Sequence, residues 1–192
     1  MSELNDLKEV LARDNYVILD TETTGLDADS EIVQIAVVDR DGTTLLNTLV
    51  KPTRPIPSGA TAIHGITNDM VASAPPFIDL VYTVSNAVHG RDLIIYNSNY
   101  DLQMLIQTFA AHGNQDAWED FRERVNSATC AMLAYAEFYG DWNDYRQSYR
   151  WQRLSSACQQ QRIKVVDAHN ALGDCKMTLA LIQHLKKVWD EQ

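Results

Sequence analysis

The sequence has few cysteines, and none of them are spaced for a shared role. Cys130, Cys158 and Cys175 are odd in number, lie far apart and form no CxxC motif. This pattern argues against a disulfide framework and against a structural zinc site. Free thiols are typical of a reducing compartment, so we expect a cytoplasmic protein.

Signals for export and membrane insertion are missing as well. The first six residues, Met1 to Asp6, are acidic, whereas a signal peptide begins with basic residues followed by an apolar run. No apolar run approaches the roughly 18 residues of a membrane span, so we expect no membrane partner. We expect residues 1–192 to form a single domain, with a short N-terminal helix over 3–12 and the main core over about 16–188.

Positive charge is also scarce. The chain has 16 lysines and arginines against 26 acidic residues, which gives a net charge of −10. A protein that binds long stretches of nucleic acid by counterion release usually has a basic face. The composition therefore argues against an extended binding track, but a small site with bound cations can still accept one strand end.

Apolar periodicity predicts a mixed α/β fold. Four strands are predicted, over residues 16–22, 31–40, 43–51 and 92–97. Helices are predicted over 3–12, 75–88, 100–111, 130–138, 154–161 and 169–189. Asp41-Gly42 is a tight-turn signal between the second and third strands, and the proline-rich residues 51–58 indicate an extended loop. Antiparallel strands followed by alternating helices and strands indicate a mixed sheet covered by helices.

Acidic residues lie where the predicted elements end or begin. Asp20 and Glu22 are two residues apart at the end of the first strand, so strand alternation directs both to one face. Asp101 lies four residues after the fourth strand, at the start of a helix. Two alternatives stay open at this point: solvated charges at a strand end for the first pair, and a helix N-cap for Asp101.

The segment 167–174 contains a further acid and a histidine. Asp174 lies beside Cys175, on the edge of the apolar face of the last predicted helix, so we expect it to face the sheet. His169 and Asp174 are five residues apart, about 140° around a helix. That separation does not suit two stacked ligands of one ion, and it predicts two different tasks on either side of a substrate.

The candidate metal ligands are carboxylate oxygens, with at most one histidine and no cysteine. Such ligands are typical of hard cations, Mg²⁺ or Mn²⁺. Two such ions about 3.5–4 Å apart can bind both the attacking and the leaving oxygen of a phosphodiester. A histidine side chain, with an ordinary pKa of about 6.5, can accept a proton from water near neutral pH.

These motifs resemble those of the DnaQ-like, DEDDh-type 3′→5′ exonucleases of the RNase H-like superfamily. The matching residues are Asp20-Thr21-Glu22-Thr23-Thr24-Gly25-Leu26, His64-Gly65-Ile66, Asn97-x-x-Tyr100-Asp101 and His169-x4-Asp174. They follow the family's order and spacing, and the first motif is highly specific after a buried strand. The related DEDDy branch has a tyrosine where this chain has Asn170. The resemblance implies an α/β, RNase H-like three-layer fold with a mixed five-stranded sheet flanked by helices.

The resemblance also implies roles for the catalytic residues. Asp20, Glu22 and Asp174 would hold one Mg²⁺, and Asp20 and Asp101 would hold a second, with Mn²⁺ as a substitute. His169 would be the general base. All five are therefore expected to be catalytic.

A pocket for the terminal nucleotide is implied by the same resemblance. Its expected residues are Thr23, Thr24, Gly25, Leu26, His64, Asn97 and Tyr100. Leu26 would wedge against the last bases, while Asn97 and Tyr100 would support the site. For His64, a structural role in a proline-bounded turn is an equal alternative. Three positions depart from the family pattern, and none removes a ligand: Asn170, Gly173 and Cys175.

The implied reaction is hydrolysis of single-stranded or frayed DNA 3′ ends to nucleoside 5′-monophosphates. RNA 3′-end trimming, as in RNase T or oligoribonuclease, is the alternative, and a catalytically silent module that binds strand ends is a second one. Residues 145–153 interleave aromatics with arginines and are a candidate for holding the strand, although an ordinary amphipathic loop has the same pattern. A polymerase or repair partner, and a homodimer formed through the edge strand 43–51, stay open.

Overall fold

A five-stranded mixed sheet is the centre of the computed structural model, which describes residues 2–112 and 115–191. Its strands are β1 (Tyr16–Thr23), β2 (Ile32–Asp39), β3 (Thr44–Leu49), β4 (Arg91–Ile95) and β5 (Val125–Cys130). Their spatial order is β3-β2-β1-β4-β5. The pairs β1–β2 and β2–β3 are antiparallel, whereas β1–β4 and β4–β5 are parallel. The carboxyl ends of β1 and β4 therefore lie side by side.

Helices and one small hairpin complete the described chain. The helices are α1 (Glu3–Arg13), α2 (Ser58–His64), α3 (Asn68–Val71), α4 (Phe77–Val88), α5 (Ser98–Ala111), α6 (Gln115–Arg124), α7 (Ala131–Tyr139), α8 (Leu154–Gln160) and α9 (Ala171–Asp190). The hairpin, formed by β6 (Trp142–Asn143) and β7 (Ser148–Tyr149), connects α7 to α8. No helix of the described residues is long and apolar enough to cross a membrane.

Alternate side chains of the strands build two cores. On one face, Ile18 and Ile94 pack with residues of α1, α7, α8 and α9. On the other face, Val17, Leu19 and Leu93 pack with residues of α4, α5 and α6. The period-2 alternation of the strands thus gives three layers. This confirms the predicted α/β fold with a mixed five-stranded sheet flanked by helices.

All four strands predicted from the sequence are present as β1 to β4, and so is the turn between β2 and β3. Gly42 adopts a φ of +86° in that turn, and Asp39 Oδ1 accepts hydrogen bonds from the N–H groups of Asp41 (3.0 Å) and Thr43 (2.9 Å). The left-handed φ explains why glycine suits this position.

Several elements differ from the sequence-based assignment. The assignment missed β5, α6 and the hairpin. Three of the six residues of β5 are polar, so no apolar run marks it. It also missed α2, which forms where a loop ending at residue 58 and a turn at 63–67 were expected. The last helix begins at Ala171, two residues later than predicted.

All three cysteines are unpaired and buried. Cys175 packs against the sheet from α9, with its Sγ 3.7 Å from the Ile18 carbonyl and 3.5 Å from the Ala36 carbonyl. Burial raises the pKa of Cys158 to about 11 and raises that of Cys175 well above its usual range. These thiols belong to the core.

Candidate active site

Three carboxylates meet at the carboxyl end of β1. Asp20 and Glu22 lie on one face of this strand, and Asp174 approaches them from the first turn of α9. One ligand oxygen of each residue lies within 4.8 Å of the other two. The structure thus brings together three of the five residues that the sequence predicts to be catalytic.

Asp101 joins the same site from α5. It is only 4% exposed, and its Oδ1 accepts hydrogen bonds from the Thr21 N–H (3.1 Å) and the Thr21 hydroxyl (2.7 Å). These bonds attach α5 to β1 and leave Oδ2 available. The N-cap of α5 is Asn97, so the N-cap interpretation of Asp101 is wrong. Asp101 lines a cavity of about 160 Å³ together with the other four predicted catalytic residues.

Burial raises the pKa of all four carboxyl groups, and repulsion by neighbouring acids adds to it at Asp20, Glu22 and Asp101. Burial is the main cause at Asp20, whose pKa is raised well above its usual range, with further contributions from the neighbouring charges. Burial also raises the pKa of Glu22 to about 8 and, against hydrogen bonds from Thr21, that of Asp101 to about 7. It raises the pKa of Asp174 to about 6.

This group of acids has no lysine or arginine partner among the described residues. Within residues 2–112 and 115–191, none of the four forms a salt bridge with a lysine or arginine. Buried carboxylates at this separation repel each other and hold protons unless a positive charge lies between them. The arrangement therefore favours a cation from outside the chain.

His169 reaches the site from a loop rather than from a helix. Its φ is +63° and that of Asp167 is +51°, both in the left-handed region. The predicted separation of about 140° around a helix is therefore wrong, since α9 begins only at Ala171. The exposed imidazole nevertheless lines the same cavity, and the His169 backbone N–H donates a hydrogen bond to the Asp174 carboxylate.

Asn170 and Gly173, two of the positions that depart from the family pattern, fix the conformation of the loop that contains His169. Asn170 is the N-cap of α9, and its Oδ1 accepts a hydrogen bond from the Gly173 N–H (3.4 Å). Gly173 lies so close to the loop that a Cβ there would be 2.3 Å from the Asp167 carbonyl oxygen. A larger residue at 173 would displace the backbone that leads to His169.

The turn after β1 is fixed by hydrogen bonds at both ends. The hydroxyls of Thr23 and Tyr100 lie 2.5 Å apart, and each is 2.9 Å from the Gly25 carbonyl oxygen. One hydroxyl therefore donates to the other, which donates to the carbonyl. Thr24 Oγ1 accepts a hydrogen bond from the Glu31 N–H (3.0 Å). The two threonines and Tyr100 thus shape the turn.

The same helix, α5, holds the chain beyond the turn. Gln107 Nε2 donates to the carbonyls of Asp27 (3.0 Å) and Ser30 (3.2 Å). Thr108 Oγ1 accepts a hydrogen bond from the Ile32 N–H (3.1 Å). Consequently α5 fixes the whole connection from β1 to β2.

Both ring nitrogens of His64 are used in hydrogen bonds. Nδ1 accepts from the Ile66 N–H (3.0 Å), so Nε2 carries the proton and donates to the Thr23 carbonyl (3.2 Å). Burial lowers the pKa of His64, which favours this neutral tautomer. Of the two roles left open by the sequence, support of the turn fits these contacts.

An open cleft of about 810 Å³ adjoins the small cavity. The turn after β1, residues of α2, Arg153 and His169 line it. It is lined by all seven residues predicted to receive the terminal nucleotide, namely Thr23, Thr24, Gly25, Leu26, His64, Asn97 and Tyr100. Leu26 is 82% exposed, so its side chain is free to contact a base.

Comparison with known proteins agrees with this geometry. The sequence model of the Exonuclease family (RNase_T) matches residues 17–182. This chain belongs to that family. The uncharacterised exonuclease CP81 of Escherichia phage 186 is 42% identical over 176 residues, which cover 91% of this chain and 89% of that protein. The DNA polymerase III ε subunit of Buchnera aphidicola subsp. Schizaphis graminum is 35% identical over 49% of this chain and 45% of the subunit.

Solved exonuclease structures share the fold. Exonuclease X in complex with 5′ overhanging duplex DNA is 26% identical, with a TM-score of 0.61 and coverage of 90% of this chain and 92% of that chain. E. coli exonuclease I with a dT13 oligonucleotide has a TM-score of 0.73 at 18% identity, covering 93% of this chain and 43% of that one. The predicted DnaQ-like 3′→5′ exonuclease, a hydrolase of nucleic acid in the RNase H-like superfamily, is thus confirmed.

Some residues that position the exonuclease site were missed by sequence reasoning. Thr21 lies inside the first motif, but nothing in the motif indicates that its hydroxyl binds Asp101. Gln107 and Thr108 lie on a helix without any motif, and only the fold brings them to the turn. Asn170 carried a usable signal, because asparagine before an apolar helical stretch is a common N-cap.

Proposed function

We propose that this exonuclease removes nucleotides one at a time from the 3′ ends of single-stranded or frayed DNA and releases nucleoside 5′-monophosphates. The observation that carries the proposal is the group of Asp20, Glu22 and Asp174, with ligand oxygens within 4.8 Å of one another, next to an open cleft of about 810 Å³. Small-molecule sites have volumes of about 300–1,000 Å³, so the cleft suits a terminal nucleotide.

Two divalent cations are the proposed cofactors. Asp20, Glu22 and Asp174 would hold one, and Asp20 with the free oxygen of Asp101 would hold the other. The residues fit such ions, because carboxylate oxygens are the ligands that Mg²⁺ and Mn²⁺ prefer. Burial is the main cause of the raised pKa values, and a bound cation would favour the charged carboxylates. When bound, the ions supply charge stabilisation to the phosphate and to the attacking and leaving oxygens.

His169 is the proposed general base. Its imidazole is exposed and lines both the cavity and the cleft, so it contacts water and the strand end together. It takes a proton from the water that attacks phosphorus, while the bond from phosphorus to the 3′-oxygen of the preceding nucleotide breaks. The backbone N–H of His169 also interacts with the Asp174 carboxylate and lowers its pKa, which connects the loop of the base to that ligand.

The terminal nucleotide is proposed to bind against the turn after β1. The hydroxyls of Thr23 and Tyr100 are engaged with the Gly25 carbonyl, so their part is to fix the turn. Leu26 would wedge against the last bases. His64 would maintain the Thr23 carbonyl in place rather than carry charge to the phosphate.

DNA is the proposed substrate. Support comes from the DNA polymerase III ε subunits among the relatives and from the duplex DNA in the exonuclease X structure. The net charge of −10 argues against a long electrostatic track, which favours a single-stranded or frayed end over an intact duplex.

The test uses 5′-labelled single-stranded DNA, a 3′-recessed duplex and an RNA of the same sequence, with Mg²⁺, Mn²⁺ or EDTA. We expect stepwise shortening of the single-stranded DNA with either metal, slower shortening of the RNA, and none in EDTA. Faster shortening of the RNA would overturn the choice of DNA. If no strand is shortened with either metal, the proposed function is wrong.

Variants test the assigned roles. His169→Ala should lower turnover by about 10²-fold or more, in line with the usual effect of a general base. His184→Ala, which changes a histidine of α9 outside the cavity and the cleft, is the matched control. Full activity of His169→Ala across the pH range would contradict its role as the base.

A further inference from the structure

The segment 141–153, here called the hairpin segment, presents aromatic side chains to solvent beside the active site. Tyr145 at its tip is 95% exposed, and Trp151 is 56% exposed. Trp142 and Tyr149 pack edge to face across the hairpin, with ring centroids 5.0 Å apart. The contact between Trp142 and Tyr149 therefore stabilises the hairpin, whereas the rings of Tyr145 and Trp151 are exposed to solvent and available to a ligand.

The hairpin segment is also basic in an acidic protein. Residues 141–153 contain three arginines and two aspartates, a net charge of +1, whereas the whole chain carries −10. Asp141 pairs with Arg150 (2.7 Å), which cancels one charge of each sign. In the described part of the chain, Arg146 and Arg153 take part in no salt bridge.

A cavity of about 350 Å³ lies within this surface. Arg146, Tyr149, Arg150 and Trp151 are among the residues that line it. Guanidinium groups and aromatic rings around one concave surface match the backbone phosphates and the bases of a single strand.

The hairpin segment is attached to the edge of the catalytic cavity. The Tyr96 hydroxyl donates a hydrogen bond to the Gln152 carbonyl (2.8 Å), and Tyr96 lines that cavity. The next residue, Arg153, lines the cleft proposed for the terminal nucleotide. Arg153 lies four positions after Tyr149, so the chain between them spans at most about 14 Å. A strand with its 3′ end in the cleft is thus within reach of the aromatic surface.

We propose that the hairpin segment binds the single strand upstream of the scissile bond. Tyr145 and Trp151 stack on bases, and Arg146 and Arg153 contact phosphates. This inference rests on the proposed function, because it requires the 3′ end to enter the cleft. It also reconciles the acidic chain with nucleic-acid binding, since a short basic surface suffices for a few nucleotides.

The test compares a long and a short substrate. The long one is a 12-nucleotide single-stranded DNA, and the short one is an aryl ester of thymidine 5′-monophosphate, which fills the cleft alone. We expect Tyr145→Ala and Trp151→Ala each to raise KM for the long strand about 5- to 10-fold, the usual effect of losing one stacked base. Their kcat/KM for the ester should equal that of the wild type.

Salt dependence tests the phosphate contact. Arg146→Ser should reduce the slope of log affinity against log salt by about 0.7, the value for one phosphate contact on a single strand. Matched controls are Tyr82→Ala on α4 and Arg122→Ser on α6, which change exposed residues outside the cleft and the catalytic cavity. Both controls should leave KM and the slope unchanged.

Binding in EDTA, measured by fluorescence anisotropy with labelled DNA, separates this inference from the proposed function. Unchanged affinity and KM in the hairpin variants would overturn the inference, and so would an equal loss on the ester. A wild type that cleaves nothing, but binds DNA more weakly after Tyr145→Ala, would overturn the function alone. Tight binding of an acidic peptide in preference to DNA would assign the surface to a protein partner instead.

Discussion

The two ends of the central sheet bury carboxylates in opposite ways. At the amino end of β4, Asp92 is 2% exposed and accepts hydrogen bonds from Arg13 Nε (2.8 Å) and Ser127 Oγ (2.7 Å). Burial opposes ionisation there, but these bonds outweigh it and lower the pKa of Asp92. At the carboxyl end of β1, burial is uncompensated and the pKa values of the acids are raised.

The difference indicates that Asp92 stabilises the fold, whereas the acids at the carboxyl end of β1 are suited to binding a ligand. Asp92 has its cation within the fold, so its charge stabilises the native state. The acids at the other end destabilise the metal-free protein, because buried like charges hold protons that the unfolded chain would release. A bound cation would remove this destabilisation. Carboxyl groups with raised pKa values in a cleft are typical of active sites.

The largest expected effect comes from exchanging one acid at each end for its amide. Asp20→Asn should reduce turnover by about 10³-fold, since it removes a ligand shared by both proposed ions. It should leave the metal-free protein at least as stable as the wild type. Asp92→Asn should retain kcat and lower the free energy of unfolding by about 1.5–3 kcal/mol.

The first effect is measured as turnover on single-stranded DNA, and the second as urea-induced unfolding of the metal-free protein. The contrast between the two ends breaks down if Asp20→Asn destabilises the metal-free protein as much as Asp92→Asn does.

Gly173→Ala should produce the next largest effect. The added methyl group must displace the Asp167 backbone, which moves His169 but leaves the carboxylates in place. A displacement of about 1 Å at a catalytic group can lower kcat by about 10²-fold. Stabilisation by Mg²⁺ in a thermal melt should stay close to that of the wild type. A fall in metal affinity without a fall in kcat would show that Gly173 acts on Asp174 rather than on the base.

The pH dependence of stability should distinguish the two ends in the absence of metal. Raised pKa values of about 6 to 8 at Asp174 and Glu22 mean that their stabilising protons are present below about pH 4 and lost as the pH rises to about 8. The lowered pKa of Asp92 acts in the other direction, with stability lost below about pH 4.

Urea unfolding of the metal-free protein between pH 4 and 8 measures this dependence. We expect a decline on the order of a few kcal/mol, which Glu22→Gln should reduce and Mg²⁺ should reverse. A stability that rises steadily from pH 5 to 8 in EDTA would be incompatible with repulsion among the site acids.

Tyr100→Phe should have the smallest effect. It removes one hydroxyl from the network around the Gly25 carbonyl, and such a hydrogen bond contributes about 0.5–1.5 kcal/mol. The turn after β1 should loosen and KM should rise a few-fold, with kcat nearly unchanged. Steady-state kinetics on single-stranded DNA, with Tyr82→Phe as the control, measure this. A large loss of kcat would instead place Tyr100 in the chemistry.

The sequence predicts the parts of the fold that are locally determined. The strands β1 to β4 have apolar runs or a turn signal, and strand alternation predicts that Asp20 and Glu22 share one face of β1. β5 is an edge strand that mixes polar and apolar residues, so its pairing with β4 is decided by tertiary contacts. The structure therefore adds the elements that depend on neighbours distant in the chain.

The same distinction holds within the site. The sequence places His169 correctly near Asp174, but on a helix, because the apolar pattern of α9 gives no sign of two left-handed residues before it. The close contact between Gly173 and Asp167 depends on a reversal of the chain that no spacing rule describes. The hydrogen bonds of Gln107 to the connection between β1 and β2 depend on the packing of α5. Because these residues are distant in the chain, the sequence does not predict the bonds.

The burial of all three cysteines has a practical consequence. A thiol reacts as its thiolate, and Cys130, Cys158 and Cys175 are all buried; in addition, burial raises the pKa of Cys158 and of Cys175. A maleimide dye should therefore label a single site in the variant Tyr82→Cys, without prior removal of the native cysteines. A second dye at the 5′ end of a DNA strand would then form a donor–acceptor pair. The transfer efficiency would rise in steps as the strand shortens, so each nucleotide removed could be counted on one molecule.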